Sequence, residues 1–207
     1  MHVKDFSIEK LKTNLKSNKV HIIDILPGGV VTKKSTAEIK IDSDGEFIFE
    51  EEKDIVKVAV IERHKNTGNV GVGFLRGYGL KEGAVALSIA HDSHNIIAVG
   101  VDDKEIAFAV EKLIEQEGGV VLVKNGEVIE NMPMPIAGIM SDRDGAWVDK
   151  KLVALHEVAH QEMGIHRSVE PVMTLCFMSL IVIPEIKITD RGLFDVKKFD
   201  FISLEAE

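Results

Sequence analysis

The sequence predicts an α/β (α+β) fold, a mixed β-sheet flanked by helices with a small β lobe at the N-terminus. Three observations predict it. Short apolar runs of strand length are bounded by Gly, Pro, Asn and Asp, the residues that tight turns require. Two longer segments carry apolar residues at helical spacing. The acidic run Glu50-Glu51-Glu52, a solvated loop, divides a β-rich lobe at residues 1–52 from the mixed pattern of residues 53–207.

The elements follow in order. Ser7 is placed to cap an N-terminal helix ending near Ser17-Asn18, with Phe6 and Leu11 spaced as a hydrophobic staple. Strand patterns occupy 20–25, 30–32, 37–41 and 46–49, with turns at Pro27-Gly28-Gly29 and Ser43-Asp44-Gly45. Residues 55–61 form a strand and Asn66-Thr67-Gly68-Asn69 its turn. Gly71, Gly73, Gly77 and Gly79 mark turns and close backbone approach; no Gly-Lys-Ser/Thr ending and no GxGxxG entry to a helix makes them a phosphate loop. Residues 84–90 and 96–100 are apolar strands. Asp102 caps a helix over 103–116, with Glu105 set for a capping box and Ile106, Val110, Leu113 and Ile114 on one face. Gly118-Gly119 ends it. Residues 120–123, the Asn125-Gly126 turn and residues 127–129 form a hairpin. A rigid loop at 133–138 returns to the core. A second helix spans 146–163, with Val148, Leu152, Leu155 and Ala159 on one face. Residues 172–188 are strongly apolar, broken by Pro184, and predict a central strand; Lys187 and Asp190, before Gly192, read as a surface turn.

Composition narrows the function classes. A chain of 207 residues can bury a sizeable core. Its net charge of -9 argues against a nucleic-acid surface, which needs clustered Lys and Arg. The longest apolar run, 173–183, falls well short of the ~20 residues of a membrane span. The start, Met1-His2-Val3-Lys4-Asp5, does not have the pattern of a secretory signal. The single cysteine, Cys176 between Leu175 and Phe177, permits no internal disulfide and reads as a small buried apolar residue. The seven methionines read as core filler. The expectation is a cytoplasmic protein with neither nucleic acid nor membrane as partner.

The densest cluster of reactive side chains is His91-Asp92-Ser93-His94-Asn95, between two apolar strands. His91 and His94 can each ligate a metal or carry a proton, and Asp92 can orient a histidine. The competing reading is a polar turn whose side chains satisfy backbone groups, although five such residues in an apolar context are a costly way to build one. Glu62-Arg63-His64 ends another strand and joins the same pocket if the two strands are neighbours; otherwise it is a surface ion pair. His156-Glu157-Val158-Ala159-His160 matches HExxH on a helix, where both imidazoles could hold zinc with Glu157 as base. Such a short match arises by chance in many helices, and His166, the one further candidate ligand, lies past the helix end.

Several stretches carry a resemblance, in order, along nearly the whole chain. Ile61-Glu62-Arg63-His64, Gly71-Val72-Gly73-Phe74, the stretch from Gly77 to Ala84, that from Ala90 to Ile97, and Met134-Pro135-Ile136-Ala137-Gly138 resemble the C-terminal region of bacterial-type adenine deaminases. So do Pro27-Gly28-Gly29, Met173-Thr174-Leu175 and the stretch from Ile183 to Asp190. In that family the region follows an amidohydrolase-type (β/α)₈ barrel, whose His-x-His pair, further histidines and carboxylates hold iron or manganese. The barrel's metal-bound hydroxide converts adenine to hypoxanthine and ammonia. This chain has no His-x-His and is too short for a barrel of typically ~250 residues together with this region. The resemblance therefore implies a C-terminal domain needing a barrel partner, with adenine or a related purine as ligand and self-association through a surface a barrel would cover. It also implies that the 91–95 run faces the active-site region: His91, Asp92 and His94 in catalysis, His91 and His94 as ligands of a divalent metal (iron or manganese, zinc not excluded), and Glu62, Arg63, Ser93 and Asn95 toward substrate. The alternatives are a non-catalytic purine- or metal-binding or assembly module and, remotely, a zinc hydrolase built on His156, Glu157 and His160.

Overall fold

The computed structural model describes residues 1–206. After a short 3₁₀ turn at Ile8–Leu11, the chain forms β1 (Lys19–Ile25), β2 (Thr32–Glu38), β3 (Lys40–Ile41), β4 (Phe47–Ile48), β5 (Ile55–Ile61), β6 (Val70–Arg76), β7 (Ala84–Leu87) and β8 (Ile96–Gly100). Helix α1 (Asp103–Glu115), β9 (Gly119–Lys124), β10 (Glu127–Pro133), α2 (Gly145–Gln161), α3 (Pro171–Cys176), β11 (Ile186–Thr189), β12 (Gly192–Asp195) and β13 (Asp200–Phe201) follow. The main sheet is eight-stranded in the order β10-β9-β7-β8-β5-β6-β1-β2. Every neighbouring pair is antiparallel except β1 and β6, so the sheet is mixed, as the sequence predicts.

Residues on β5 and its neighbours alternate between two cores. Val56, Val58, Val60, Leu87, Ile97 and Leu122 face a layer built by Leu155, Ala159 and Met163, Leu175 of α3, and Ile186, Ile188 and Leu193 of the three-stranded sheet β11-β12-β13. Ala59, Ile61, Ala84, Ala86, Ile96 and Ala98 face α1 through Ile106, Ala109, Val110 and Leu113. The small residues on this second face let α1 lie close: a Cβ at Gly100 would sit 2.6 Å from Ile106 Cγ1. Each fully buried Val, Leu or Ile contributes about 1.5–3 kcal/mol, so these two faces hold the domain together. Lys57, on the α1 side of β5, is 1% exposed yet satisfied; its ammonium donates to Leu11 O at 3.1 Å and pairs with Asp103 at 2.5 Å. That contact ties the N-terminal turn and the start of α1 to the sheet.

Helix α1 forms where expected, with Asp102 accepting from Glu105 N at 2.9 Å. The hairpin around Asn125-Gly126 also forms, its second strand running on to Pro133 past an irregularity between Val128 and Glu130. Other segments differ. The N-terminal helix is a single 3₁₀ turn and Ser7 makes no capping bond. The Glu46 carboxylate instead captures the N–H groups of Thr13 and Asn14, and Asn14 adopts a left-handed conformation. Residues 32–38, read as parts of two strands, are one edge strand whose polar sequence hides its pairing with β1. Of the residues expected as a separate lobe, β3 and β4 pair on their own, whereas β1 and β2 extend the main sheet. The apolar stretch 172–188 is no central strand: it holds most of α3, capped by Glu170, then a run of turns, and only then enters β11. Lys187, expected at the surface, is fully buried in β11. Cys176 is buried, and burial pushes its thiol up to about 12, which keeps it unreactive. Among the described residues no helix is long and apolar enough to cross a membrane.

Candidate functional site

Pairing of Ile61 with Ile96 sets the end of β5 beside the start of β8. Residues 62–64 and 91–95, distant in sequence, therefore meet at one end of the sheet. The 91–95 run is a compact turn: His94 N donates to Ala90 O at 2.8 Å, Ser93 N to His91 O at 2.9 Å, and His91 N to Cys176 O at 2.7 Å. Asp92 and His94 take left-handed conformations, with φ of 65° and 46°.

Arg63 holds this turn. It is only 5% exposed and makes no ion pair with a carboxylate among the described residues. Its Nε donates to His94 O, and its Nη2 to Ala137 O at 3.1 Å and Ser88 O at 3.4 Å. His64 Nε2 lies 2.9 Å from Ser93 O and 3.1 Å from His94 O, contacts that require the proton on Nε2 because carbonyls only accept. Two consecutive residues of β5's continuation thus clamp the backbone of the histidine turn. Arg63, expected to bind substrate, uses its Nε and Nη2 donors on the protein's own carbonyls.

Glu62 turns the other way. It accepts from the N–H groups of His64, Lys65 and Thr67 and from the Thr67 hydroxyl, closing the turn after β5. Burial opposes its ionisation, but these donors outweigh it and bring the carboxyl down to about 2. A carboxylate with a depressed pKa contributes stability that is present above its unfolded value, near 4.5, and is lost as pH falls toward 2. Glu62→Gln should therefore cost about 1–2 kcal/mol at pH 7 and leave a shallower loss of stability between pH 4.5 and 2 in acid titrations followed by circular dichroism. An unchanged acid profile would refute this role.

The remaining members of the run divide by exposure. His91 and Asp92 are open to solvent, with Nδ1 of His91 3.1 Å from Asp92 Oδ1 and the imidazole ring against Phe177 at 4.9 Å. His94 is half-buried; burial first, then the charge of Arg63, lowers its pKa, which favours the neutral ring. Its Nδ1 is buried without a hydrogen-bond partner among the described residues. Asn95 is 7% exposed; its Nδ2 lies 3.5 Å from Asp190 Oδ1, while its Oδ1 has no partner among the described residues. Asp190 also accepts from Asn69 Nδ2 at 3.0 Å. Beside them opens a cavity of about 360 Å³ lined by Asp92, Ser93, Asn95, Ser179, Val182 and Asp190, among others. Ser179 and Asp190 were not singled out by sequence as site residues. They reach Asn95 only through tertiary structure, Asp190 from the turn between β11 and β12.

Among the described residues no donor set fits a divalent metal. Among the described residues no three His, Cys, Asp or Glu side chains gather where they could hold one. His91 and His94, expected as a ligand pair, are split between an exposed ring facing Asp92 and a ring whose Nδ1 is buried. The HExxH histidines do lie on α2, with ring centroids 6.5 Å apart. His156 Nε2, however, is 2.5 Å from Glu170, and His160 Nδ1 is 2.9 Å from Ile165 O. His166, the candidate third ligand, pairs with Asp54 at 2.9 Å.

Comparison with known proteins agrees with the resemblance. The family model for the adenine deaminase C-terminal domain matches residues 29–200. An "Adenine deaminase 2" of Desulfotalea psychrophila is 64% identical over 204 residues, covering 99% of this chain but 35% of that protein. An "Adenine deaminase" of Ligilactobacillus salivarius is 50% identical over 207 residues, 100% of this chain and 36% of its own length. An "Adenine deaminase 2" of Carboxydothermus hydrogenoformans is 46% identical across 98% of this chain and 35% of its own length. The chain spans about a third of the length of these relatives. A family model that covers most of the chain, and the fold and turn described above, lead to one conclusion: the chain belongs to the adenine deaminase C-terminal domain family.

Proposed function

We propose that this chain supplies the C-terminal part of an adenine deaminase, the hydrolase that converts adenine to hypoxanthine and ammonia. The observation that carries the reading is the match itself: relatives named adenine deaminase align with nearly all of this chain but with only about a third of their own length. The chemistry belongs to the remaining portion, the metal-holding barrel of the family, carried on the same or another polypeptide. A divalent metal, iron or manganese, would supply an activated water there, and the residues described here would act around it. His91, exposed and paired with Asp92, is placed to move a proton at its free Nε2, with Asp92 fixing the ring. His94, Arg63 and His64 position that pair through the turn backbone. Glu62 closes the adjoining turn. The same reading includes self-association or barrel contact through exposed Leu26, Val31, Met173 and Val182, and a cytoplasmic location.

A reconstitution assay tests it. The purified chain is mixed with the barrel portion of a relative lacking this third, with Fe²⁺ or Mn²⁺ present, and hypoxanthine is measured. The mixture should turn over adenine while the chain alone does not, and His91→Ala should lower the reconstituted rate about 100-fold. Turnover by the chain alone, or a mixture no faster than the barrel portion by itself, would overturn the proposal. A non-catalytic purine-binding or assembly module is the second reading, and a mixture no faster than the barrel portion by itself would favour it.

A further inference from the structure

The first residues of the chain are held at the histidine end of the sheet. His2 N donates to Arg63 O at 3.2 Å, and Met1 and Val3 pack against the core layer that contains Ile61 and Ile96. Arg63 is the residue whose Nε donates to His94 O. In the relatives about two-thirds of the chain lies outside the matched part, and the matching family model describes a C-terminal domain. The Ligilactobacillus salivarius protein aligns with all 207 residues. In that protein the preceding portion therefore joins at the position of Met1, one residue from the contact with Arg63. A junction so short keeps the preceding portion at high effective concentration around this end of the sheet.

Exposed apolar side chains gather at the same end. Val182, 71% exposed, lines the open cavity shared with Asp92 and Ser93. Ile136 and Met140, 46% and 53% exposed, bracket the loop whose Ala137 O accepts from Arg63 and whose Gly138 O accepts from the Ser88 hydroxyl. Apolar side chains left open beside exposed titratable groups suit a contact that shuts water away from those groups. Leu26 and Met173, also exposed, lie at the other end of the sheet. Strand β6 starts opposite Ile61 and runs away from the turn for seven residues, roughly 20 Å, with β1 parallel to it. Leu26 follows the far end of β1, where Met173 shares its groove. We propose that the histidine end of the sheet is the face that docks on the remaining two-thirds of an adenine deaminase, with Val182, Ile136 and Met140 in the contact and His91 and Asp92 enclosed by it. The inference rests on the deaminase reading and names the partner of its site. Leu26 and Met173 stay outside this contact, open to self-association.

Amide exchange tests it on a full-length protein in which this chain replaces the matching third of the Desulfotalea psychrophila relative, 64% identical to it. Compared with the free chain, exchange at residues 62–64, 91–95, 136–140 and 180–183 should slow at least about tenfold, while residues 26–31 and 173–175 keep their rates. Val182→Glu combined with Met140→Glu should return the first set to within about twofold of the free chain, and Met173→Glu should not. Circular dichroism of the free chain carrying the same substitutions checks folding, which exposed positions tolerate. Should the full-length protein fail to fold, the footprint is read on the free chain mixed with the relative's remaining portion. Unchanged exchange at the histidine end, or slowing confined to residues 26–31 and 173–175, would overturn the assignment. So would slowing at the histidine end that the free chain shows by itself on concentration, because a second copy would then occupy the face. Hypoxanthine formation is read separately: slowed exchange without turnover counts against the deaminase reading alone, and turnover without slowed exchange counts against the docking face alone.

Discussion

Replacing Arg63 with methionine should lower the unfolding free energy by about 3–5 kcal/mol, the largest effect expected of any single change at this site. The guanidinium is buried, and its partners are the backbone carbonyls of Ser88 and His94, at the two ends of the β7–β8 connection, and of Ala137 in the loop after β10. Methionine fills much of the volume but leaves those oxygens without a donor. A buried unpaired carbonyl costs about 1–3 kcal/mol, and a hydrogen bond to a charged donor contributes more than a neutral one. The desolvation of the guanidinium is relieved at the same time, which holds the net loss below the simple sum. Lysine should not rescue, because one ammonium on a flexible stem cannot reproduce a planar fork serving separate loops. Gly138 belongs to the same arrangement: it adopts φ of 74°, and a Cβ there would lie 2.8 Å from Arg63 Nη1. Urea unfolding gives the energy, and amide exchange at Ser88 to Asn95 shows whether the loss is local to the turn. A change under about 1 kcal/mol, or exchange rates in the turn left as they were, would show that the clamp is not what holds the histidines in place.

The sequence made some of this legible and hid the rest for physical reasons. Helix α1 was readable because its signals are local: a capping aspartate at Asp102, helical spacing over Ile106 to Ile114, and Gly118-Gly119 at the end. The cluster at 91–95 was readable because titratable groups interrupt an apolar context. The sequence did not determine whether 62–64 join it, since that depends on β5 and β8 being neighbours, a pairing across more than thirty intervening residues. Arg63 reads from sequence like half of a surface ion pair, because nothing local reveals that its partners are carbonyls. Ser179 and Asp190 stand in segments whose pattern suggests an apolar core run and a surface turn, and only the packing of β11 and β12 against β6 carries Asp190 to Asn95. Strand β2 was misjudged because an edge strand need not be apolar: Thr-Lys-Lys-Ser-Thr-Ala-Glu lacks the alternation that pattern reading relies on. Residues 172–188 failed in the opposite way, since continuous apolarity reports burial and says little about whether the buried backbone is strand or short helix.

Lys187 tests how far that packing dictates chemistry. It is fully buried, its ammonium donates to Val30 O at 2.9 Å, and no carboxylate pairs with it among the described residues. Burial pushes the amine down to about 8 from an ordinary 10.5. Below pH 8 both folded and unfolded chains carry the charge, and the folded state bears the full cost of burying it. Between pH 8 and 10.5 the folded chain releases its proton first, the unfolded chain binds more protons, and stability rises with pH, by about 3 kcal/mol across the window. Lys187→Met removes the cost and the titration together but leaves Val30 O unpaired, a loss of about 1–2 kcal/mol. The variant should therefore be more stable than the parent by about 1–2 kcal/mol at pH 7, fall level with it as the parent's amine discharges, and be less stable near pH 10. Taking the difference between the two proteins cancels Tyr78, whose buried hydroxyl donates to Pro171 O at 2.7 Å and has a pKa raised by burial, so that it lowers the stability of both above pH 10. Chemical denaturation at half-unit steps from pH 7 to 10 locates the crossing. Parallel profiles would mean that Lys187 keeps its charge by reaching water or an acid, and that the packing of β11 against the loop at Val30 is looser than it stands here.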